Sequence, residues 1–179
     1  EGRLELIAHD ISDHFQNFKQ QGLKGKLACR NKTTAIKYKQ FLDGIGKVTS
    51  TVVMSPPDTR EAHNSVEDED TPIVQRWWKE NVGSEDEKKY TDRQINAFAQ
   101  DEGPDLMIVV SKLLTGFDEP KNTVLYIDRS LKKHNLIQAI ARVNRLHQKK
   151  KFGYLIDYYG VLTELEPNNQ GYQPRALNT

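Results

Sequence analysis

Hydrophobic positions recur along this chain in two rhythms. Leu4, Ile7, Ile11, Phe15 and Phe18 return at three- and four-residue spacing, which predicts an amphipathic helix over 3–21 that Gly22 stops. Lys26-Leu27-Ala28-Cys29 reads as a short strand. Ala35, Ile36, Phe41 and Leu42 give the inward face of a helix over 32–42, which Asn31 can cap and Gly44 and Gly46 can end. The β-branched run from Val48 to Met54 predicts a strand. The rhythm then fades. From Ser55 to about Thr91 prolines and charges follow one another without a sustained period, which predicts an irregular, partly mobile insertion over 55–91 with a short helix near 73–78. A helix over 92–99 carries Ile95 and Phe98. Order returns with a continuous apolar strand over 105–110, of the kind covered on both faces in a parallel sheet. Strands over 122–127 and 152–156 follow, with a helix over 134–147 between them. This grammar predicts an α/β domain over 1–162, a parallel sheet flanked by helices, and a polar tail or linker over 163–179.

Composition narrows the classes. At 179 residues the chain is long enough for one domain with a real core. Its longest aliphatic run, Leu106 to Val110, is far short of the ~20 apolar residues of a membrane span. The start has no basic stretch followed by an apolar one, so no signal peptide is expected, and without an initiator methionine the chain is expected to be a piece of a longer one. A single cysteine, Cys29, excludes an intrachain disulfide and points to a reducing, cytoplasmic setting. The net charge of +1 conceals an asymmetry: segment 58–70 holds six acids against Arg60, whereas 121–151 holds nine bases against Asp128. Only the second can meet phosphate.

Two segments carry candidate chemistry. On a helical wheel with Gln138 at zero, Arg142 falls at about 40° and Arg145 at about −20°, while Leu136, Ile137, Ile140 and Val143 fall between about 140° and 260°. The apolar face docks on the sheet, and Gln138, Arg142 and Arg145 form an outward stripe. A solvated helix face is the plain account; two arginines one turn apart can also hold a phosphate through always-charged donor forks. Upstream, Ser111 to Pro120 follows a buried strand directly, where ligands of open α/β sheets gather beyond strand ends. Gly116 permits close backbone approach, and Asp118 can accept from a sugar hydroxyl or an arginine.

Gln138-Ala139-Ile140-Ala141-Arg142-Val143-Asn144-Arg145 resembles motif VI of superfamily 2 helicases, and Leu113 to Pro120, LLTGFDEP, resembles motif V. With LYIDRSLKKHNLIQAIARVNR and the following Gly-Tyr-Leu-Ile-Asp-Tyr strand, residues 92–160 resemble the R (restriction, motor) subunit of type I restriction enzymes. Ala141 departs from the glycine usual in the superfamily. The resemblance implies the second RecA-like lobe of a two-lobe DNA motor, in which ATP and Mg²⁺ are bound mainly by the first lobe and arginines reach the γ-phosphate from the second. It makes Arg145 the candidate finger and Arg142 its phosphate-binding neighbour, with Gln138 at the nucleotide or orienting the pair. Gly116 and Asp118 would line the ribose and phosphate side. It places Ser111 and Lys112 at the nucleic-acid backbone, and Arg30 with less support. It implies as partners double-stranded DNA, the first RecA-like lobe and the modification and specificity subunits, with no membrane. Another superfamily 2 helicase lobe, or a non-catalytic nucleic-acid-binding module, remains open.

No Gly-x-x-x-x-Gly-Lys-Ser/Thr occurs in the sequence, and Glu67 to Asp70 follow no apolar strand, so the chain alone is expected not to hydrolyse ATP. Pro57-Asp58 and Asp86-Glu87-Lys88 match the letters of a metal-dependent nuclease, but they lie in the irregular stretch without strands, and solvated charge is the better account. No metal site is predicted. Trp77 and Trp78 read as packing anchors, Lys149-Lys150-Lys151 as a solvated turn, and Cys29 as a small core residue.

Overall fold

A computed structural model describes residues 1–57, 72–110, 118–145 and 147–165. Five strands, β1 (Lys24–Cys29), β2 (Ser50–Val53), β3 (Leu106–Val109), β4 (Asn122–Asp128) and β5 (Tyr154–Asp157), form one sheet in the order β2-β3-β1-β4-β5. Every pairing is parallel. The central strand β1 therefore needs cover on both faces, and all six of its residues are buried.

Two apolar layers supply that cover. On one face Leu27, Val52, Leu106, Ile108, Val124 and Tyr126 pack under α1 (Gly2–Lys19) and α2 (Lys32–Ile45). The other face carries Ala28, Val53, Met107, Val109, Leu125 and Ile127, under Leu136, Ala139 and Val143 of α5 (Lys133–Val143) and Phe98 of α4 (Glu87–Ala99). Helix ends follow local chemistry. Asn31 accepts the Thr34 N–H at 2.8 Å to cap α2, and Gly46, at a φ of 71°, closes it by donating to the Leu42 carbonyl. Gly25 lies so close to Leu106 and Phe15 that a methyl group there would collide with the Leu106 side chain at 2.8 Å.

The stretch 55–91 is less irregular than its composition suggests. α3 (Pro72–Asn81) and the first residues of α4 occupy its second half, while 58–71 lie outside the described residues. Val74 anchors α3 in the α2 layer, Trp77 and Trp78 pack edge-on against Tyr90, and the Tyr90 hydroxyl donates to the Val52 carbonyl. Asp86, one of the nuclease letters, caps α4 by accepting the Lys88 and Lys89 N–H groups; Asp58 lies outside the described residues. The short helix expected near 73–78 and the helix expected over 92–99 are both present but longer, at Pro72–Asn81 and Glu87–Ala99, because aromatic contacts made across the fold and the Asp86 cap extend them beyond their apolar letters.

A second difference bears on the site. α5 ends at Val143, not at 147, so Arg145 is not helical. Two contacts from the following loop stop the helix. The Lys150 ammonium donates to the Val143 carbonyl at 2.9 Å and to the Asn122 carbonyl at 2.5 Å, and the Asn144 side chain accepts the Gly153 N–H at 3.1 Å. Gly153 approaches so near that a Cβ there would stand 2.3 Å from the Val143 carbonyl oxygen. No helix among the described residues is long and apolar enough to cross a membrane.

Candidate functional site

In a parallel sheet all strands begin at one edge and end at the other, here about 20 Å apart along β1. The chain crosses back between β3 and β4, so residues close to β4 in sequence reach the edge where strands begin. Asp118 and Glu119 stand there: the Asn122 N–H donates to the Glu119 carbonyl, and the Lys24 N–H donates to the Lys121 carbonyl, both at 2.9 Å. α5 runs antiparallel to the strands and delivers its C-terminal end, with Arg142 and Arg145, to the same edge. The Arg145 guanidinium meets the Asp118 carboxylate at 2.6 Å, with half of one side chain and about a third of the other exposed. The reading that put Asp118 just beyond a strand's C-terminal end is thereby corrected: Asp118 and Arg145 are together, at the opposite edge.

The stripe of Gln138, Arg142 and Arg145 does not survive as one surface. Gln138 is exposed and turns back one turn to His134, with the amide nitrogen 2.9 Å from His134 Nε2. Arg142 is half-buried, and among the described residues no ion pair engages it. Ile137, assigned to the apolar face, is 52% exposed. Gly116, Ser111 and Lys112 lie outside the described residues.

Two further cations belong to this edge, and the sequence reading missed both roles. Lys26, on β1, is 1% exposed; its register partners Met107 and Leu125 belong to the layer under α5, so it faces that side. Burial pulls its ammonium down to about 8 and the nearby Arg142 charge adds to this, while the Asp118 and Glu119 carboxylates oppose both. Lys150 is 9% exposed and is no solvated turn residue. Burial lowers it to about 8, again against Glu119 and Asp118. Lys26, Arg145 and Lys150 thus share the carboxylates of Asp118 and Glu119, with the Arg142 charge close to Lys26. A lysine in the central strand of a predicted sheet was the signal available for Lys26; nothing in three consecutive lysines singled out Lys150.

The opposite edge is built differently. Asp128, at the end of β4, is 2% exposed and fully engaged: Arg3 donates to it at 2.6 Å and the Tyr38 hydroxyl at 2.5 Å. Burial and the Asp128 charge push the Tyr38 phenol far up. Asp157, at the end of β5, accepts three backbone N–H groups, from Tyr159, Gly160 and Leu162. Arg129 ties the exit of β4 to that of β3 by donating to the Val110 carbonyl. Arg30, directly after β1, is exposed beside a groove of about 590 Å³ that Arg3, Thr33, Thr34, Lys37 and Tyr159 also line.

Comparison with known proteins decides the family. Residues 7–160 match the family model of type I restriction enzyme subunit R domain 3. The chain belongs to this family. A Methanocaldococcus jannaschii protein described as the type I restriction enzyme MjaVIIP endonuclease subunit is 33% identical over 90% of the chain and 16% of its own length. The type I restriction enzyme HindI endonuclease subunit of Haemophilus influenzae is 37% identical over 58% of the chain and 10% of its own. The chain therefore spans a sixth or less of these relatives. In structure, a fragment of an HsdR subunit of a type I restriction enzyme from Vibrio vulnificus YJ016 aligns with a TM-score of 0.58 at 16% identity, over 95% of this chain and 30% of that one. The five-stranded parallel sheet with helices on both faces is a RecA-like α/β fold.

Proposed function

We propose that this chain is the second RecA-like lobe of an ATP-driven DNA translocase, the motor of a type I restriction enzyme. On this reading its two sheet edges face different ligands. The edge where strands begin completes the ATP site of a first lobe, and the edge where they end meets the DNA backbone. The observation that carries the reading is the excess of cations at the first edge, with Arg145 held 2.6 Å from Asp118. Two carboxylates cannot neutralise Lys26, Arg142, Arg145 and Lys150, so the cluster has an unmet demand for anions that a polyphosphate from outside would answer.

The residues present fit such a ligand. Arg145 is the finger: its partly exposed pair with Asp118 is worth only ~0.2–1 kcal/mol, so the guanidinium leaves readily for a phosphoryl group. Arg142, fixed on the last turn of α5, lies one turn behind it as a phosphate donor. Asp118 and Gly116 line the ribose and phosphate side, and Gln138 contacts nucleotide or orients the arginines. Mg²⁺ and the phosphate cradle belong to the first lobe, since the sequence carries no P-loop; this lobe alone is inactive. Bound Mg·ATP supplies the phosphoryl group whose developing charge the arginines stabilise. Arg30, Ser111 and Lys112 touch the DNA backbone, with the groove beside Arg30 offering further donors from Arg3 and Lys37. In the assembled enzyme the partners are the first lobe, the modification and specificity subunits and double-stranded DNA.

The test is Arg145→Ala in the full-length R subunit. DNA-stimulated ATPase and translocation should fall by ~10³-fold or more, as for other arginine fingers, while nucleotide binding stays mostly intact. ATPase at the wild-type rate in that variant would refute the role.

A further inference from the structure

Packing alone does not call for a lysine at position 26. Its strand neighbours are apolar, it is essentially unexposed, and burying its charge is costly. The loop over 118–121, whose two carboxylates act on the Lys26 charge, is stitched down from several sides. Backbone bonds run from Lys24 to Lys121 and from Asn122 to Glu119, the Lys121 N–H donates to the Glu119 carboxylate at 3.1 Å, and Lys150 grips the Asn122 carbonyl. Asp118 leads into this loop, shared between an exposed arginine on one side and buried cations on the other.

If Arg145 is to act on a phosphoryl group it must leave Asp118, and the carboxylate must then stay where it is. We propose that Lys26 is the buried counter-cation of Asp118 and Glu119, a positioning residue that keeps this loop fixed while Arg145 exchanges a carboxylate for a phosphate. The inference rests on the reading of Arg145 as the finger. Lys26 touches no substrate. Its buried charge offsets those of Asp118 and Glu119, and among the described residues the half-buried Arg142 on α5 is the cation whose charge acts on it. The arrangement also explains why a lysine pulled toward neutrality stays charged at pH 7: the two carboxylates offset part of its burial cost.

The experiment measures ATPase kinetics of full-length R subunits carrying Lys26→Met, Lys26→Arg, Lys26→Met with Glu119→Gln, and Arg145→Ala. Lys26→Met should lower kcat by about 10- to 100-fold through loss of alignment. KM for ATP should stay within about 2-fold, because the residue makes no contact with the ground state. Lys26→Arg, which keeps the charge, should retain most of the rate. Pairing Lys26→Met with Glu119→Gln removes one opposing charge and should recover much of the loss. Wild-type kcat in Lys26→Met, equal damage from Lys26→Arg, or no recovery in the double variant overturns the proposal. Should Lys26→Met fail to fold, the double variant carries the test: a folded, active enzyme supports charge compensation, and an unfolded one overturns it. Arg145→Ala separates the two readings. If it leaves ATPase intact, the finger assignment fails; if it abolishes ATPase while Lys26→Met is normal, only the role of Lys26 fails.

Discussion

The two edges of this sheet carry carboxylates in opposite states. Asp128, where strands end, is buried and saturated by Arg3 and Tyr38; Asp118, where strands begin, holds one partly exposed arginine in a field of surplus cations. The first arrangement closes on itself and belongs to the fold. The second is partly exposed, and in the proposed function it is the one that takes an outside anion. Sequence singled out Asp118 by its motif and counted Asp128 only as the one acid of a basic segment. What distinguishes them is the number and burial of the groups that converge on each.

That contrast can be broken most directly by removing each carboxylate. Asp128→Ala strands the Tyr38 hydroxyl and one face of Arg3, and should cost about 2–3 kcal/mol in urea unfolding. Asp118→Ala should cost less than about 1 kcal/mol, because a partly exposed pair contributes little. Equal losses would erase the distinction. Gly153→Ala should follow, at about 2 kcal/mol, since its methyl group would collide with the Val143 carbonyl and loosen the turn that presents Arg145; the same unfolding curve reads it. Arg30→Ala at the other edge should leave stability unchanged. In the intact enzyme it should weaken DNA binding across sequences and reduce the salt slope by about 1. An unaltered slope would remove Arg30 from the DNA contact.

The smallest effect is one of pH. Lys26 and Lys150 are both lowered in the folded state, to about 8, from an ordinary value of 10.5. Between those values the unfolded chain binds more protons than the folded one, so these groups make stability rise with pH; below about 8 their burial cost is fully present. Cys29, raised by burial, pulls the other way as unfolded thiols ionise, which is why the difference between variants is the useful quantity. Stability of wild type relative to Lys26→Met should rise by ~1–2 kcal/mol from pH 8 to 10. A flat difference would mean that Lys26 does not titrate as its burial requires.

Much of the architecture was legible because apolar letters obey local periods. The five strands, the helices at either end of the first half and the helix bearing Arg142 follow from runs and spacings within ten or so residues. The pair of half-exposed helices between β2 and β3 was less legible, for its anchors are a few aromatic contacts made across the fold. Sequence order also put Asp118 and Arg145 in adjacent motifs without showing that they touch, or at which edge.

The sequence by itself determined an α/β sheet of parallel strands, an arginine-bearing helix beneath it and the family to which these strings belong, because hydrophobic period and motif order are local properties of the chain. Tertiary structure alone decided where α5 stops, which edge receives Arg145, and that Lys26 and Lys150 are buried. A helix end fixed by Gly153 and Lys150, and a charge environment assembled from β1, α5 and two loops, depend on groups far apart in sequence. Coulomb energies and desolvation follow distance in space, not position in the chain.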